Sequence, residues 1–220
     1  QRVARLGEGV AAAGGTFRER SLPKGLALKL ILFITIFVVA IEGFSAYFRL
    51  RQEESQIIGS MITGADQLSR SIASATWLAM LADQRAAAYE VMRTIAQKQG
   101  IDRIRIFNKE GRIMFSTDPE SGRMVDTRAE ACTLCHAREQ PLVRVDVPTR
   151  ARTFRGVDGR RRLGMVTPLY NEPACSTAAC HAHPPGRKVL GVLDVTLSLD
   201  PVDRELATSQ RRTVLLVIWL

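Results

Sequence analysis

All four cysteines and all three histidines of this chain fall in two short clusters. The first is Cys132-Thr133-Leu134-Cys135-His136. The second is Cys175-Ser176-Thr177-Ala178-Ala179-Cys180-His181, with His183 two residues further on. C-x-x-C-H is the attachment pattern of c-type haem: two thiols add to the porphyrin vinyl groups, and the adjacent histidine reaches the iron. C-x4-C-H is a longer version of the same arrangement. The spacing predicts covalently attached haem c, one at Cys132–His136 and a second at Cys175–His181. Cys132, Cys135, Cys175 and Cys180 are the attachment points, and His136 and His181 the proximal iron ligands. His183 lies too close to His181 to reach the opposite face of the same iron, which leaves it to ligate the other haem or to face solvent. Met114, Met124 and Met165 are the candidate thioether ligands, against core packing as the ordinary use of methionine.

Other chemistries compete for these residues. Zinc takes thiolate and imidazole ligands tetrahedrally, and C-x-x-C suits it; C-x4-C-H-x-H repeats no common finger. Disulfides Cys132–Cys135 and Cys175–Cys180 would close very small rings and leave both following histidines unexplained. A thioredoxin-like redox pair lacks its strand-helix context. The sequence holds no phosphate-binding glycine loop and no H-E-x-x-H. It also has no Ser-His-Asp candidate once the histidines are assigned, and no catalytic site is expected.

The chain has 220 residues with 31 Lys+Arg against 22 Asp+Glu, a formal charge of +9. With 46% hydrophobic residues it is neither disordered nor a disulfide scaffold. Much of the basic surplus lies between Ile101 and Val192, densest at Arg160-Arg161-Arg162 with Arg150, Arg152 and Arg155 nearby. Guanidinium forks match haem propionates, while a solvated basic face is the plainer use of most of these residues. Nucleic acid is not an expected partner, because stacking aromatics are not interleaved with the charge.

Two apolar runs set the expected topology. Residues 26–48 supply the roughly 20 residues that a membrane-spanning helix needs. No comparably apolar helix is present to bury that run in a core, and no small-x-small cleavage site follows it cleanly. Arg2, Arg5, Arg18, Arg20 and Lys24 precede it, so residues 1–25 form a basic segment that the positive-inside rule places in the cytoplasm. Residues 211–220, from Thr213 onward almost wholly apolar, are read as the start of a second transmembrane helix in a chain that is a fragment. Residues 49–210 then form an extracytoplasmic domain, the bacterial periplasm being where haem of this kind is attached.

Within that domain Ile58, Met61, Ala65, Leu68, Ile72, Ala75 and Ala79 trace a heptad seam, for packing on a sheet or on a dimer mate. Asp83 is expected to cap a second helix, 84–99, ended by Gly100. Beyond it the period becomes two. Ile104 and Ile106 alternate with Arg103 and Arg105, and a turn at 108–111 leads into a return strand. Val143, Val145 and Val147 alternate as well; a hairpin turns at Asp158-Gly159, and a long strand covers 188–199. The fold class is α+β: helices at 49–100, and an antiparallel five-stranded sheet within 101–200.

Together the anchor, the long helix, the hairpin 101–111, the motif Cys132–His136 and the strand 189–195 resemble a known class. It is the extracytoplasmic sensor region of bacterial chemoreceptors and sensor histidine kinases that carries c-type haem on a PAS-like or Cache-like fold. The resemblance implies a homodimer in the inner membrane, joined to a cytoplasmic kinase or chemotaxis module, with haem sensing redox state or a small ligand. The second cysteine cluster departs from the single-haem members of that class. The alternative is a membrane-anchored periplasmic cytochrome that passes electrons to a redox partner.

Overall fold

The computed structural model describes residues 24–99, 101–137, 142–177 and 183–219. The segment 1–23, Gly100 and the pair Cys180 and His181 lie outside the described residues. The chain divides into two units, Gln1–Ser45 and Ala46–Leu220. Helix α1 (Lys24–Leu81) contributes to both.

In the first unit α1 is apolar all round: Leu30, Phe33, Phe37 and Ile41 are exposed. Its most apolar 18-residue window has a mean hydropathy of 2.3, and none of that window is buried. By length and composition the helix is a candidate for a membrane span or a signal sequence.

The second unit is α+β. After α1 come α2 (Arg85–Gln99), β1 (Ile101–Asn108), β2 (Ile113–Ser116), α3 (Thr133–His136), α4 (Val147–Arg150) and β3 (Ala151–Arg155). Then follow β4 (Arg161–Tyr170), α5 (Pro173–Thr177), β5 (Val189–Ser198) and α6 (Asp200–Trp219). The strands form one antiparallel sheet in the order β2-β1-β5-β4-β3. The last strand in sequence is thus the central one. Ile104 lies opposite Val195 and Ile106 opposite Leu193, so the period-two pattern of both strands falls in phase on one face.

That face carries the helices. Ile72 of α1 with Met92 and Ala96 of α2 packs on Ile104, Ile106, Phe115, Leu193 and Val195. A second group joins Ala65 of α1 to Leu163, Met165, Leu199, Val202 and Leu206. The heptad seam therefore lies on the domain's own sheet from Ala65 to Ile72. Beside it Ser69 is buried as well, and beyond Ile72 the line passes to buried Thr76 and half-buried Met80, while Ala75 is exposed, contrary to the expected seam. The helix has 3.6 residues per turn, so a 3.5-residue seam drifts off the packed face within a few turns.

Asp83 does not cap α2. Its φ is +54°, its N–H donates to Met80 O (3.2 Å), and Gln84 N–H donates to Ala79 O (2.8 Å). That pair of bonds is a Schellman ending, with Asp83 in the left-handed position that closes α1. Val143, Val145 and Val147 also form no strand. Val147 begins the short helix α4, whose first turn holds Pro148, and a proline there favours a helix start over a strand.

Where β1 pairs with the start of β5, Gly191 allows close approach: a Cβ there would lie 2.4 Å from Phe107 O. Gly191→Ala is expected to push the strands apart and cost about 1–3 kcal/mol. A lowered urea midpoint with unchanged slope checks it.

Candidate functional site

Both cysteine clusters sit on connections between strands. In the connection from β2 to β3, residues 117–137 lie over the sheet face opposite the helices. Phe107, Ile113, Ala131 and Val166 form its core, with Val125, Cys132, Leu134 and Val192 packed around it. Cys132 precedes α3, and its carbonyl accepts from Cys135 N (3.2 Å) and His136 N (3.0 Å). One helical turn thereby carries two half-buried thiols and an exposed imidazole, one turn apart at Cys132 and His136. This donor set can tether a planar group by two sulfurs and present a nitrogen to its centre. Cys132, Cys135 and Cys175 are free thiols, so the Cys132–Cys135 disulfide is not formed. Among the described residues no group of three or more His, Cys, Asp or Glu side chains converges on a metal position.

Burial pushes the Cys132 thiol above its ordinary value, and the nearby Glu130 carboxylate adds to the effect; burial alone does the same to Cys135. Both are therefore neutral thiols at pH 7, poorly nucleophilic and slow to oxidise. In the reduced protein, the rate of iodoacetamide labelling at Cys132 should rise with a midpoint above roughly pH 8.5, the ordinary thiol value. Glu130→Gln should bring that midpoint down.

Glu130 belongs to a buried charge network under the motif. Arg105, 5% exposed, donates from Nε (3.1 Å) and Nη2 (2.8 Å) to Asp194 Oδ2, and from Nη2 to Glu130 Oε1 (2.6 Å). Arg152 Nη2 donates to Asp194 Oδ1 (2.7 Å). Arg103 reaches Glu130 (3.4 Å), and Asp194 is wholly buried. The network spans β1, β5, β3 and the residues just before Cys132. Burial alone would raise the Glu130 carboxyl. The charge and hydrogen bonds of Arg105, with Arg152 and Arg103, outweigh that and hold it below the ordinary carboxylate value. A depressed carboxylate stabilises the fold above its unfolded pKa, about 4.3, and that contribution disappears as pH falls through the folded value. The domain should therefore lose stability below about pH 4, and Glu130→Gln should flatten this part of the pH profile in urea titrations.

These arginines differ from the solvated basic face expected of the sequence. Arg105 and Arg152 are paired on the sheet, and Arg150 bonds to buried Asp66 of α1, which also pairs with Arg70. In the 160–162 run, Arg160 meets Asp200 (3.3 Å), and Arg161 donates to both Asp203 (2.8 Å) and Glu54 (3.0 Å). Arg162 meets Asp158 (2.6 Å). The alternation of Arg103 and Arg105 reads as an exposed strand face because the segment that covers it is remote in sequence.

The second cluster lies on the β4–β5 connection, whose ends are closed by Asn171 N donating to Lys188 O (3.0 Å). Cys175 is buried on α5, and His183 N donates to Cys175 O (3.1 Å), which folds the loop back on itself. Both residues line a cavity of about 1090 Å3. Its walls include Trp77, Met80, Tyr89, Leu169, Tyr170 and Leu190, and Arg70, Arg85, Arg144 and Arg150 also line it. Of the candidate thioethers, Met114 lines this cavity, Met165 is fully buried in the core, and Met124 is exposed. Trp77, Met80 and Arg144 are not legible as site residues in sequence: the first two lie on α1 and the third in the distant β2–β3 connection. His183 is partly buried on the cavity wall, not a free solvent-facing residue.

Neither a protein-family model nor a curated protein matches the chain.

Proposed function

We propose that the chain is the input region of a membrane-bound bacterial sensor, with a PAS-like or Cache-like domain carrying covalently bound haem c in the periplasm. The observation that carries this reading is the single helical turn holding Cys132, Cys135 and His136, wired by Glu130 into the strand that feeds α6. Cys132 and Cys135 would hold the haem through thioether bonds, the S–H hydrogen of each passing to the other carbon of the vinyl group to which its sulfur bonds. His136 would hold the iron. Bound haem supplies a one-electron iron centre with a coordination position for a small ligand.

The chain's own residues supply the transmission. Glu130 stands two residues before Cys132 and is gripped by Arg105 and Arg152, which both hold Asp194 on β5. Strand β5 passes through buried Leu199 into α6. Helix α6 runs back along α1, with Val202 and Leu206 beside Ile57, Ile58, Met61 and Ile62, and Ser209 Oγ donating to Glu53 (3.1 Å). Displacement of α3 therefore reaches the α1–α6 pair. In a homodimer with α6 continuing as a second membrane helix, that pair carries the signal across the bilayer as a helix shift.

The test is the purified chain, made in cells competent for haem attachment. Visible haem absorption that survives denaturation is expected. A colourless preparation with stoichiometric zinc would overturn the reading. The presence of two cysteine clusters in one domain favours a second reading, an anchored cytochrome passing electrons. Fast electron exchange with a soluble redox partner, unaffected by Asp194 substitutions, would support the cytochrome over the sensor.

A further inference from the structure

The cavity beside α5 has the chemistry of a particular ligand. Its volume, about 1090 Å3, is at the large end for small-molecule sites. Trp77, Tyr89 and Tyr170 give it flat aromatic walls, and Met80 and Leu190 add apolar surface. Four guanidinium groups line it with three carboxylates, Asp83, Asp146 and Glu172. Arg150 has its Nε buried without a hydrogen-bond partner among the described residues. Arg144 is exposed and makes no ion pair among them. A flat apolar body with anionic arms satisfies these walls and these unspent donors together. On the wall stand a buried thiol, Cys175, and an imidazole, His183.

We propose that this cavity seats a haem-type tetrapyrrole by its flat face and its two propionates, within reach of Cys175; the inference rests on the haem reading of the cysteine clusters. The two clusters are then unequal. His136 is exposed on one sheet face, whereas the cavity at the end of the domain is walled by α1, α2 and the 142–150 segment. Cys175 joins its group by the same thiol-to-vinyl addition, with no external oxidant.

Trp77 reports occupancy directly. The chain has two tryptophans, so Trp219→Phe leaves Trp77 as the sole emitter. The haem-free full chain in detergent, titrated with haemin, should show Trp77 quenching that saturates at one equivalent. Arg144→Glu and the dimethyl ester of haemin should each weaken binding about tenfold. Ser74→Phe, a substitution at an exposed helix position on the cavity wall, should abolish quenching while the far-ultraviolet spectrum stays unchanged. Full Trp77 emission at saturating haemin, or binding indifferent to these three changes, overturns the proposal. A second arm uses Cys132→Ala/Cys135→Ala made with the attachment apparatus. One covalent haem with Trp77 quenched supports the proposal. Covalent haem with Trp77 fully fluorescent sinks the cavity seat but leaves the haem reading standing. No covalent haem, with added haemin still quenching Trp77, sinks the covalent reading of the second cluster and keeps the cavity seat.

Discussion

Asp194→Ala is expected to lower the unfolding free energy of the domain by about 3–5 kcal/mol, the cost of leaving buried charge without its partner. Asp194 is 0% exposed and its two oxygens are divided between Arg105 and Arg152, so both guanidiniums lose their main acceptor at once. Neither can turn to water: the side chains of Arg105 and Arg152 are only 6% and 9% exposed. Replacing all three residues with apolar ones of similar volume should recover much of the loss, because desolvation of the whole network is then avoided. Urea unfolding of the single and triple variants measures both. A single variant within about 1 kcal/mol of the wild type would mean that the network contributes little to stability.

The second large effect concerns attachment. Cys132→Ala/Cys135→Ala should remove the whole of one covalent haem, because the single turn from Cys132 into α3 carries both thiols and the 117–137 segment has no other cysteine. Haem counted by mass after denaturation reads this. His136→Ala is different in kind. It leaves both sulfurs in place, so the haem should stay attached while the Soret band shifts and signalling output changes. Unchanged absorption in that variant would show that His136 is not an iron ligand. Unchanged output in a reporter assay, with the band shifted, would separate the haem from the signal and favour the electron carrier.

Much of this was legible in local pattern. The helix over residues 84–99, the hairpin turning at Asp158-Gly159 and the long last strand follow from apolar period and turn chemistry, which act between near neighbours. The failures have local causes too. Val143, Val145 and Val147 alternate as a strand would, but Pro148 removes a ladder donor and starts a helical turn. Asp83 has the side chain of a cap, and the backbone uses it instead in a left-handed ending that few residues accept.

The cysteine and histidine spacing, and the apolar run of α1, were settled by sequence alone, since each depends on residues within one turn or one segment. What the arginines do was not. Arg103 and Arg105 look solvent-facing in sequence, and only the fold lays the 117–137 segment over them and brings Asp194, 89 residues away from Arg105, into contact. The cavity is a tertiary product in the same sense. Trp77, Arg144, Tyr170 and His183 belong to α1, the β2–β3 connection, β4 and the β4–β5 connection, and only the fold brings them to one cavity wall. Covalent motifs are written in adjacent residues; a buried charge network and a cavity exist only once distant segments exclude water between them.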